Sequence, residues 1–468
     1  MGTPTSRQPY VRASLAVAGV LAAIPWLAIA GGQRPARTDT PNVVLIVTDD
    51  VGYGDFGSYG APDVRTPQID SLARDGVRLT DFYANGATCS PTRAGLISGR
   101  YQQRYAIETP LPGPAARGER GLAAAGRSLP QLLKNHGYAT ALIGKWHLGY
   151  TPAQSPNAHG FDYFFGFKSG FIDYYMHTGG NGEPDLFENE MPVTRDGYMT
   201  DLITAGTVSF IERNAGRPFF IDVAYNAAHW PYQPPDMPSR APGNARHVQP
   251  HDENTGTRSQ YVAMLERADQ GVGEILRALD RLGLAQNTLV IFTNDNGGEW
   301  LARNEPLFHR KQTLWEGGIR VPALLRWPGR IPAGRVSDQV GITMDLTASI
   351  LAATGTPIPD GTGLEGIDLL PILEGRLPEV DRTLFWRNIA PHPQRAVRRG
   401  DWKLLVDGGP NGPELLFNLR QDVGERHDMA NQRQDIARML RPLIARWEAD
   451  VDAEAKASAP LVSVPDRR

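Results

Sequence analysis

The chain has 468 residues, 41% hydrophobic and 21% charged, which is an ordinary globular composition and room for one large domain and a smaller one. A formal net charge of -3 and the lack of any lysine-rich run weigh against a nucleic-acid partner, whose phosphates require a cationic surface. The 50 glycines and 38 prolines predict many turns, but no period or biased tract marks a collagen, a solenoid or a disordered chain.

Residues 1–30 read as a secretory signal. Arg7 and Arg12 supply a positive start, and an apolar run from Ala13 to Ala30 ends in the small-x-small site Ala28-Ile29-Ala30. An uncleaved anchor is the competing reading. Pro25 and the small residues favour cleavage, and no later run is long and apolar enough to span a bilayer. The expectation is an exported protein, periplasmic or secreted, with no stable membrane span once the signal is removed. Residues 31–41 read as a linker.

Asn42 to Val47 is a continuous β-branched apolar run, the pattern of a strand buried on both faces, and it stops at Thr48-Asp49-Asp50. Thr66-Pro67 opens a helix that Gly76 closes, and Ser128 to His136 is another short helix. Ala139 to Ile143 is a strand ending at Gly144-Lys145-Trp146-His147. A helix over Thr200 to Arg213 precedes the strand Phe219 to Tyr225, which ends at Asn226-Ala227-Ala228-His229. A long helix over Arg258 to Leu282 precedes the strand Thr288 to Thr293, which ends at Asn294-Asp295-Asn296.

Strands alternating with helices predict an α/β fold, a large doubly wound and mostly parallel sheet flanked by helices. In such sheets the binding crevice lies at the carboxyl ends of the strands. Four of these strands stop at ionisable or metal-binding clusters, more than helix capping alone accounts for. After Pro322 the text changes: a helix over Leu346 to Ala353, strands near Leu384, Arg395 to Val397, Trp402 to Val406 and Glu414 to Asn418, then a helix over Gln434 to Val451. This predicts a smaller C-terminal α+β domain with an antiparallel sheet. The resulting division is 42–375 as the catalytic domain, 376–456 as the C-terminal subdomain and 457–468 as a tail.

Asp49, Asp50, Asp295 and Asn296 are hard oxygen donors from two strand ends, a set that suits Ca²⁺ or Mg²⁺ and not zinc or copper. Cys89 is the sole cysteine of an exported chain, so it has no partner for an internal disulfide. It is flanked by Thr88, Ser90, Pro91, Thr92 and Arg93, a polar turn that suggests chemistry and not a core position. Ser90 and Pro91 read as the cap and first residue of a helix through Ser98, which puts Cys89 near unpaired N–H groups suited to an anion. A thiolate would be stabilised there too, so a cysteine hydrolase stays open on these grounds.

Cys89-Ser90-Pro91-Thr92-Arg93, followed by Ser98-Gly99-Arg100, resembles the signature of the formylglycine-dependent (type I) sulfatases, arylsulfatase-like members of the alkaline phosphatase superfamily. The segments around Asp49-Asp50, Gly144-Lys145-Trp146-His147, Asn294 to Gly298 and Lys311 to Pro322 match in type and order. The resemblance implies that a separate maturation enzyme oxidises Cys89 to formylglycine. One hydroxyl of its hydrate attacks the sulfur of a sulfate ester, and the second lets the carbonyl re-form as sulfate leaves. It implies that Asp49, Asp50, Asp295, Asn296 and the modified Cys89 hold a divalent cation, calcium most often and magnesium as the alternative.

The remaining roles follow from the same resemblance. Asp295 accepts the attacking hydroxyl's proton, and Arg93 holds the diol. Lys145 and Lys311 grip the sulfate. His229 contacts the substrate and protonates the leaving alcohol, with Lys311 helping, and His147 is the base of the elimination. The substrate would be an aryl or carbohydrate sulfate, as a small molecule or a glycan. Aromatic residues from Phe161 to Tyr175 are expected to be mostly core, with exposed members at the mouth of the site. The loops from Pro231 to Thr255 are expected to form another wall, Trp315-Glu316-Gly317-Gly318 to shape a turn near Lys311, and Glu316 to be a carboxylate supporting the residues that contact substrate. Phosphate or phosphonate esters on the same scaffold, and a calcium-stabilised binding protein with an unconverted Cys89, are the competing functions.

Overall fold

A computed structural model describes residues 40–113, 120–237 and 255–458, with Gly2 and Pro9. The signal, most of the linker, the greater part of the Pro231 to Thr255 loops and the tail beyond 458 lie outside the described residues.

In chain order, the first half contributes β1 (Asn42–Thr48), α1 (Pro67–Arg74), β2 (Val77–Leu79), β3 (Phe82–Tyr83), α2 (Cys89–Ser98), α3 (Leu129–Asn135), β4 (Ala139–Lys145) and β5 (Tyr163–Phe167). Next come β6 (Phe187–Glu188), β7 (Met191–Pro192), α4 (Met199–Arg213), β8 (Phe219–Ala224), α5 (Arg258–Arg281) and β9 (Thr288–Asn294). The chain continues through α6 (Glu316–Ile319), β10 (Ala323–Arg326), β11 (Arg335–Ser337), β12 (Gly341–Ile342), α7 (Thr343–Thr354) and α8 (Leu370–Leu373). It ends with β13 (Thr383–Asn388), β14 (Gln394–Arg399), β15 (Trp402–Asp407), β16 (Glu414–Asn418) and α9 (Gln434–Ser458).

Ten strands form one sheet in the order β11-β2-β10-β9-β1-β8-β4-β5-β6-β7. At its centre β9, β1, β8 and β4 are mutually parallel neighbours, with Thr48 opposite Asn294 and both Val47 and Gly144 opposite Ala224. The four polar strand ends therefore emerge side by side on one edge. The strands that run against the rest are β10 and the short β6, so the sheet is mixed but mostly parallel, as anticipated.

The unbroken apolar run of β1 follows from burial on both faces. Val44 and Ile46 join a core with residues of α1, α4 and α5. Val43, Leu45 and Val47 face the opposite core, built with residues of α2, α3 and α7. Gly144 meets a local requirement: its φ is +121°, and a Cβ there would collide with the Ala224 carbonyl. The chain can thus reach the β4 edge, where Lys145 begins the site, only with glycine.

The antiparallel sheet β13-β14-β15-β16 and α9 fall inside the segment 376–456, apart from the last two residues of α9, and we propose that segment as the C-terminal subdomain. Helix α9 runs to Ser458, longer than expected, and Asp450 and Glu454 pair with Arg104 and Arg100 next to α2. Gly318 N–H bonds the Trp315 carbonyl at 2.8 Å, forming the expected turn, while Glu316 faces the C-terminal segment. It is buried at the junction, pairing with Lys403 at 2.9 Å, accepting from Tyr83 at 2.6 Å and meeting Arg320 at 3.2 Å. Lys403 also meets Glu425 at 2.9 Å, so a sheet residue and a loop residue of the C-terminal segment clamp the start of α6.

Candidate active site

The site is assembled at the β9-β1-β8-β4 edge with α2 laid against it. Helix α2 begins two residues earlier than the sequence suggests. Thr88 is the extended cap residue and Cys89 the first helical one, because Thr92 N–H already bonds the Thr88 carbonyl at 3.3 Å. Helical phase then puts Cys89 and Arg93, four residues apart, on one face. All ten residues of α2 are buried, and Gly99 ends it in the left-handed region at φ 68°.

Cys89 Sγ lies 3.1 Å from His147 Nδ1, and His147 Nε2 faces the Leu111 carbonyl at 3.0 Å. A carbonyl accepts only, so Nε2 carries the proton and Nδ1 presents its lone pair to Cys89. Burial, with Lys145 and Arg93 nearby, pushes the imidazole well below its usual range and keeps it neutral. Ser90 braces this geometry, donating to the His147 carbonyl at 2.9 Å and accepting from Leu111 N–H at 3.0 Å.

Three acids face three cations. Arg93 donates twice to Asp295 Oδ2, at 3.1 and 2.8 Å, and once to the Lys145 carbonyl at 3.2 Å. Lys145 Nζ lies 2.6 Å from Asp49 Oδ2, with both side chains fully buried. Lys311 Nζ lies 2.6 Å from Asp50 Oδ2, and His229 Nε2 approaches the same oxygen at 3.3 Å. Asn296 donates to Asp50 Oδ1 at 2.8 Å.

The protonation states follow from burial set against neighbours. Burial raises Asp49 well above the usual carboxylate range, aided by Asp295 and only partly opposed by Lys145. Burial acts on Asp50 too, but Lys311, His229 and Lys145 outweigh it and hold that carboxyl low. Lys311 stays protonated because Asp50 and Glu299 outweigh its burial. His229 is held well below its usual range by burial, Asp50 notwithstanding, and its Nδ1 donates to the Trp230 carbonyl at 2.6 Å.

The donor set fits a hard cation. Asp49 Oδ1, Asp295 Oδ1 and Asn296 Oδ1 are buried and have no hydrogen-bond partner among the described residues. One ligand atom each from Asp49, Asp50 and His229 lies within 4.8 Å of the others. Three oxygen donors aimed inward without partners match calcium or magnesium chemistry, for which the residues Asp49, Asp50, Asp295 and Asn296 were singled out.

All ten residues singled out from the text converge: Asp49, Asp50, Cys89, Arg93, Lys145, His147, His229, Asp295, Asn296 and Lys311. The sequence reading missed Ser90 as a brace, Glu299, whose carboxylate lies 3.8 Å from Lys311 Nζ, and Asp222. Asp222 is buried in β8 on the α2 side of the sheet, near enough to Arg93 to feel its charge. An acid inside an otherwise apolar strand was the available signal. Of the aromatic stretch, Phe161, Phe164, Phe165, Phe167 and Tyr174 are core. Phe171 is half-buried and stacks parallel to the His229 ring at 6.1 Å, on a Trp230 ring 4.1 Å away.

Residues 41–356 match the sulfatase family model, and residues 304–450 match the model for the C-terminal part of N-sulphoglucosamine sulphohydrolase. The N-acetylgalactosamine-6-sulfatase of Sus scrofa is 35% identical over 401 residues, covering 79% of this chain and 74% of that protein. Arylsulfatase A of Bos taurus is 32% identical, covering 88% of this chain and 87% of its own. The crystal structure of Ps i-CgsB superposes with a TM-score of 0.77 at 31% identity, covering 87% of this chain and 92% of the other. The same protein has been solved in complex with k-i-k-neocarrahexaose, with a TM-score of 0.77 at 30% identity. No helix among the described residues is long and apolar enough to cross a membrane. The matched model spans more than half of the chain, and with it the whole β9-β1-β8-β4 edge: the chain belongs to the sulfatase family and is a sulfuric ester hydrolase.

Proposed function

We propose that this enzyme removes sulfate from carbohydrate or aryl sulfate esters, with Cys89, converted to formylglycine, as its nucleophile. One observation carries the reading: Cys89 sits at the start of α2, on His147, at the same strand edge as three acids and three fixed cations. A relative named for N-acetylgalactosamine 6-sulfate and a neighbour solved with neocarrahexaose support a carbohydrate substrate.

As a formylglycine hydrate, residue 89 would supply a geminal diol, of which one hydroxyl attacks sulfur and the other drives release. A cation held by Asp49, Asp50, Asp295, Asn296 and residue 89 would supply Lewis acidity toward a sulfate oxygen, calcium being first choice and magnesium second. The protein's own groups do the rest. Asp295, with Oδ2 fixed by Arg93 and Oδ1 without a protein partner to meet the cation, would take the nucleophile's proton on its carboxylate. Lys145 and Lys311 are buried, protonated and fixed on carboxylates, so they stabilise charge building on sulfate oxygens without reorganising.

Neutral His147, with Nδ1 bare and Nε2 anchored on Leu111, is suited to withdraw a proton at residue 89 during elimination. His229 Nε2 stands 3.5 Å from Lys311 Nζ, and this pair supplies the proton to the leaving alcohol. The cations Arg93, Lys145 and Lys311 at least match the charge of Asp49, Asp50 and Asp295, so a bound dication makes the site net positive, which favours an anionic ester.

Maturation by a formylglycine-generating enzyme and export through the leader, to the periplasm or beyond, belong to the same proposal. The test has two parts. Mass analysis of the tryptic peptide spanning residues 79–93, from protein made in its own host, should show an aldehyde or its hydrate in place of the Cys89 thiol. The same preparation should turn over 4-nitrophenyl sulfate more efficiently than 4-nitrophenyl phosphate. An intact thiol in active enzyme, or a preference for phosphate, overturns the reading.

A further inference from the structure

A second recognition surface adjoins the sulfate end of the site. The segment from Gly298 to Lys311 loops out and back: Lys311 N–H bonds the Gly298 carbonyl at 3.1 Å, and Asn304 closes the loop by bonding both Gly298 N–H and its carbonyl. This loop, from Glu299 to Arg310, lines a cleft of about 300 Å³ together with Gly424 and Arg426 of the C-terminal segment. Glu299 also lies 3.8 Å from Lys311 Nζ, so one residue of the cleft wall adjoins a lysine proposed to hold the sulfate.

Two large aromatic side chains in the wall stay open to solvent: Trp300 is 50% exposed and Phe308 47%. Each is fixed from one side, Trp300 by the Arg310 guanidinium at 5.4 Å and Phe308 by the edge of Trp315 at 4.9 Å. Burial would normally be favoured for such rings, so two held open in a cleft are a platform for a flat apolar face. The cations have a similar status. Neither Arg310 nor Arg426 has a carboxylate partner among the described residues, although Glu299 and Glu305 lie in the same wall. Glu425 explains the presentation of Arg426: its own side chain turns inward to Lys403 and the Glu316 N–H, which leaves its neighbour exposed to the cleft.

We infer that this cleft binds the sugar next to the sulfated one, an acidic sugar whose ring stacks on Trp300 or Phe308 and whose anionic group meets Arg426 and Arg310. The pyranose C–H face matches the exposed rings, and the two unpaired guanidiniums match a carboxylate or a second sulfate. This rests on the sulfatase reading and deepens it: the substrate is a sulfated, acidic oligosaccharide, read over at least two residues.

The test uses the matured enzyme with 4-nitrophenyl sulfate as reporter, too small to reach the cleft. A chondroitin 6-sulfate tetrasaccharide serves as competitor, with its carboxyl-reduced form alongside. Trp300→Ala and Arg426→Gln should each keep kcat/KM for the reporter within about twofold while raising the tetrasaccharide Ki about tenfold, the scale of one stacking or charge-assisted contact. Loss of the Arg426→Gln effect with the carboxyl-reduced form identifies a uronate as the anion, and its persistence identifies a sulfate. Unchanged Ki in both variants, or no competition in the wild type at about 1 mM, overturns the inference. Failure of the wild type to hydrolyse the reporter would instead count against the sulfatase mechanism.

Discussion

His147 Nδ1 rests 3.1 Å from Cys89 Sγ while its other ring nitrogen is held by the Leu111 carbonyl, so the imidazole can only present a lone pair to residue 89. His147→Ala should therefore lower kcat for aryl sulfate by about 10²- to 10⁴-fold, the usual range for a positioned base. The aldehyde content of residue 89, read by peptide mass, should not change. Undiminished kcat would remove His147 from the reaction.

Lys145 and Asp49 are both fully buried and paired at 2.6 Å, so removing either leaves the other buried without its partner. Lys145→Met should destabilise the fold by about 3–5 kcal/mol in urea unfolding. Pairing it with Asp49→Asn should recover most of that loss. A single variant as stable as the wild type would mean that Asp49 is already protonated in the folded protein.

Unpartnered oxygens on Asp49, Asp295 and Asn296 predict linkage between divalent cation and stability. Calcium at about 100 times its Kd should add roughly 2.7 kcal/mol, seen as a higher thermal midpoint that EDTA reverses. Asp295→Asn should flatten that response, as calorimetric titration with calcium can confirm. A midpoint indifferent to both calcium and EDTA contradicts a cation site here.

Asp222 offers a pH signature away from the metal ligands. Burial raises its carboxyl to about 7, partly opposed by Arg93, against an ordinary value of 3.8. Between those values the folded chain holds a proton that the unfolded chain has released, so stability falls as pH rises through this window. Asp222→Asn removes the penalty and should stabilise by roughly 2–3 kcal/mol more at pH 8 than at pH 5. An equal effect at both pH values would show that Asp222 ionises as in water.

Some of this protein is written locally. The apolar run of β1, the Thr66-Pro67 helix start and the glycine that ends α2 are each decided by a few neighbouring residues, through burial pattern, fixed φ and freedom at positive φ. Other features have no local cause. Ser90 reads as a helix cap, yet it lies inside α2 and its hydroxyl is engaged by the His147 carbonyl and Leu111 N–H, partners far away in the chain. Glu316 reads as a neighbour of Lys311, yet it turns to Lys403 because the C-terminal sheet packs there and a buried carboxylate needs a cation.

The sequence by itself determined the chemical inventory: a lone cysteine ahead of an arginine one turn on, and four strands that end in acids, amides, lysine and histidine. Tertiary structure alone decided the pairings. Parallel register sets the ends of β9, β1, β8 and β4 side by side, and burial then makes each charge choose a partner, Lys145 for Asp49, Lys311 for Asp50 and Arg93 for Asp295. Which cation meets which acid depends on distances of a few ångströms between residues up to 261 positions apart, and no local pattern encodes that.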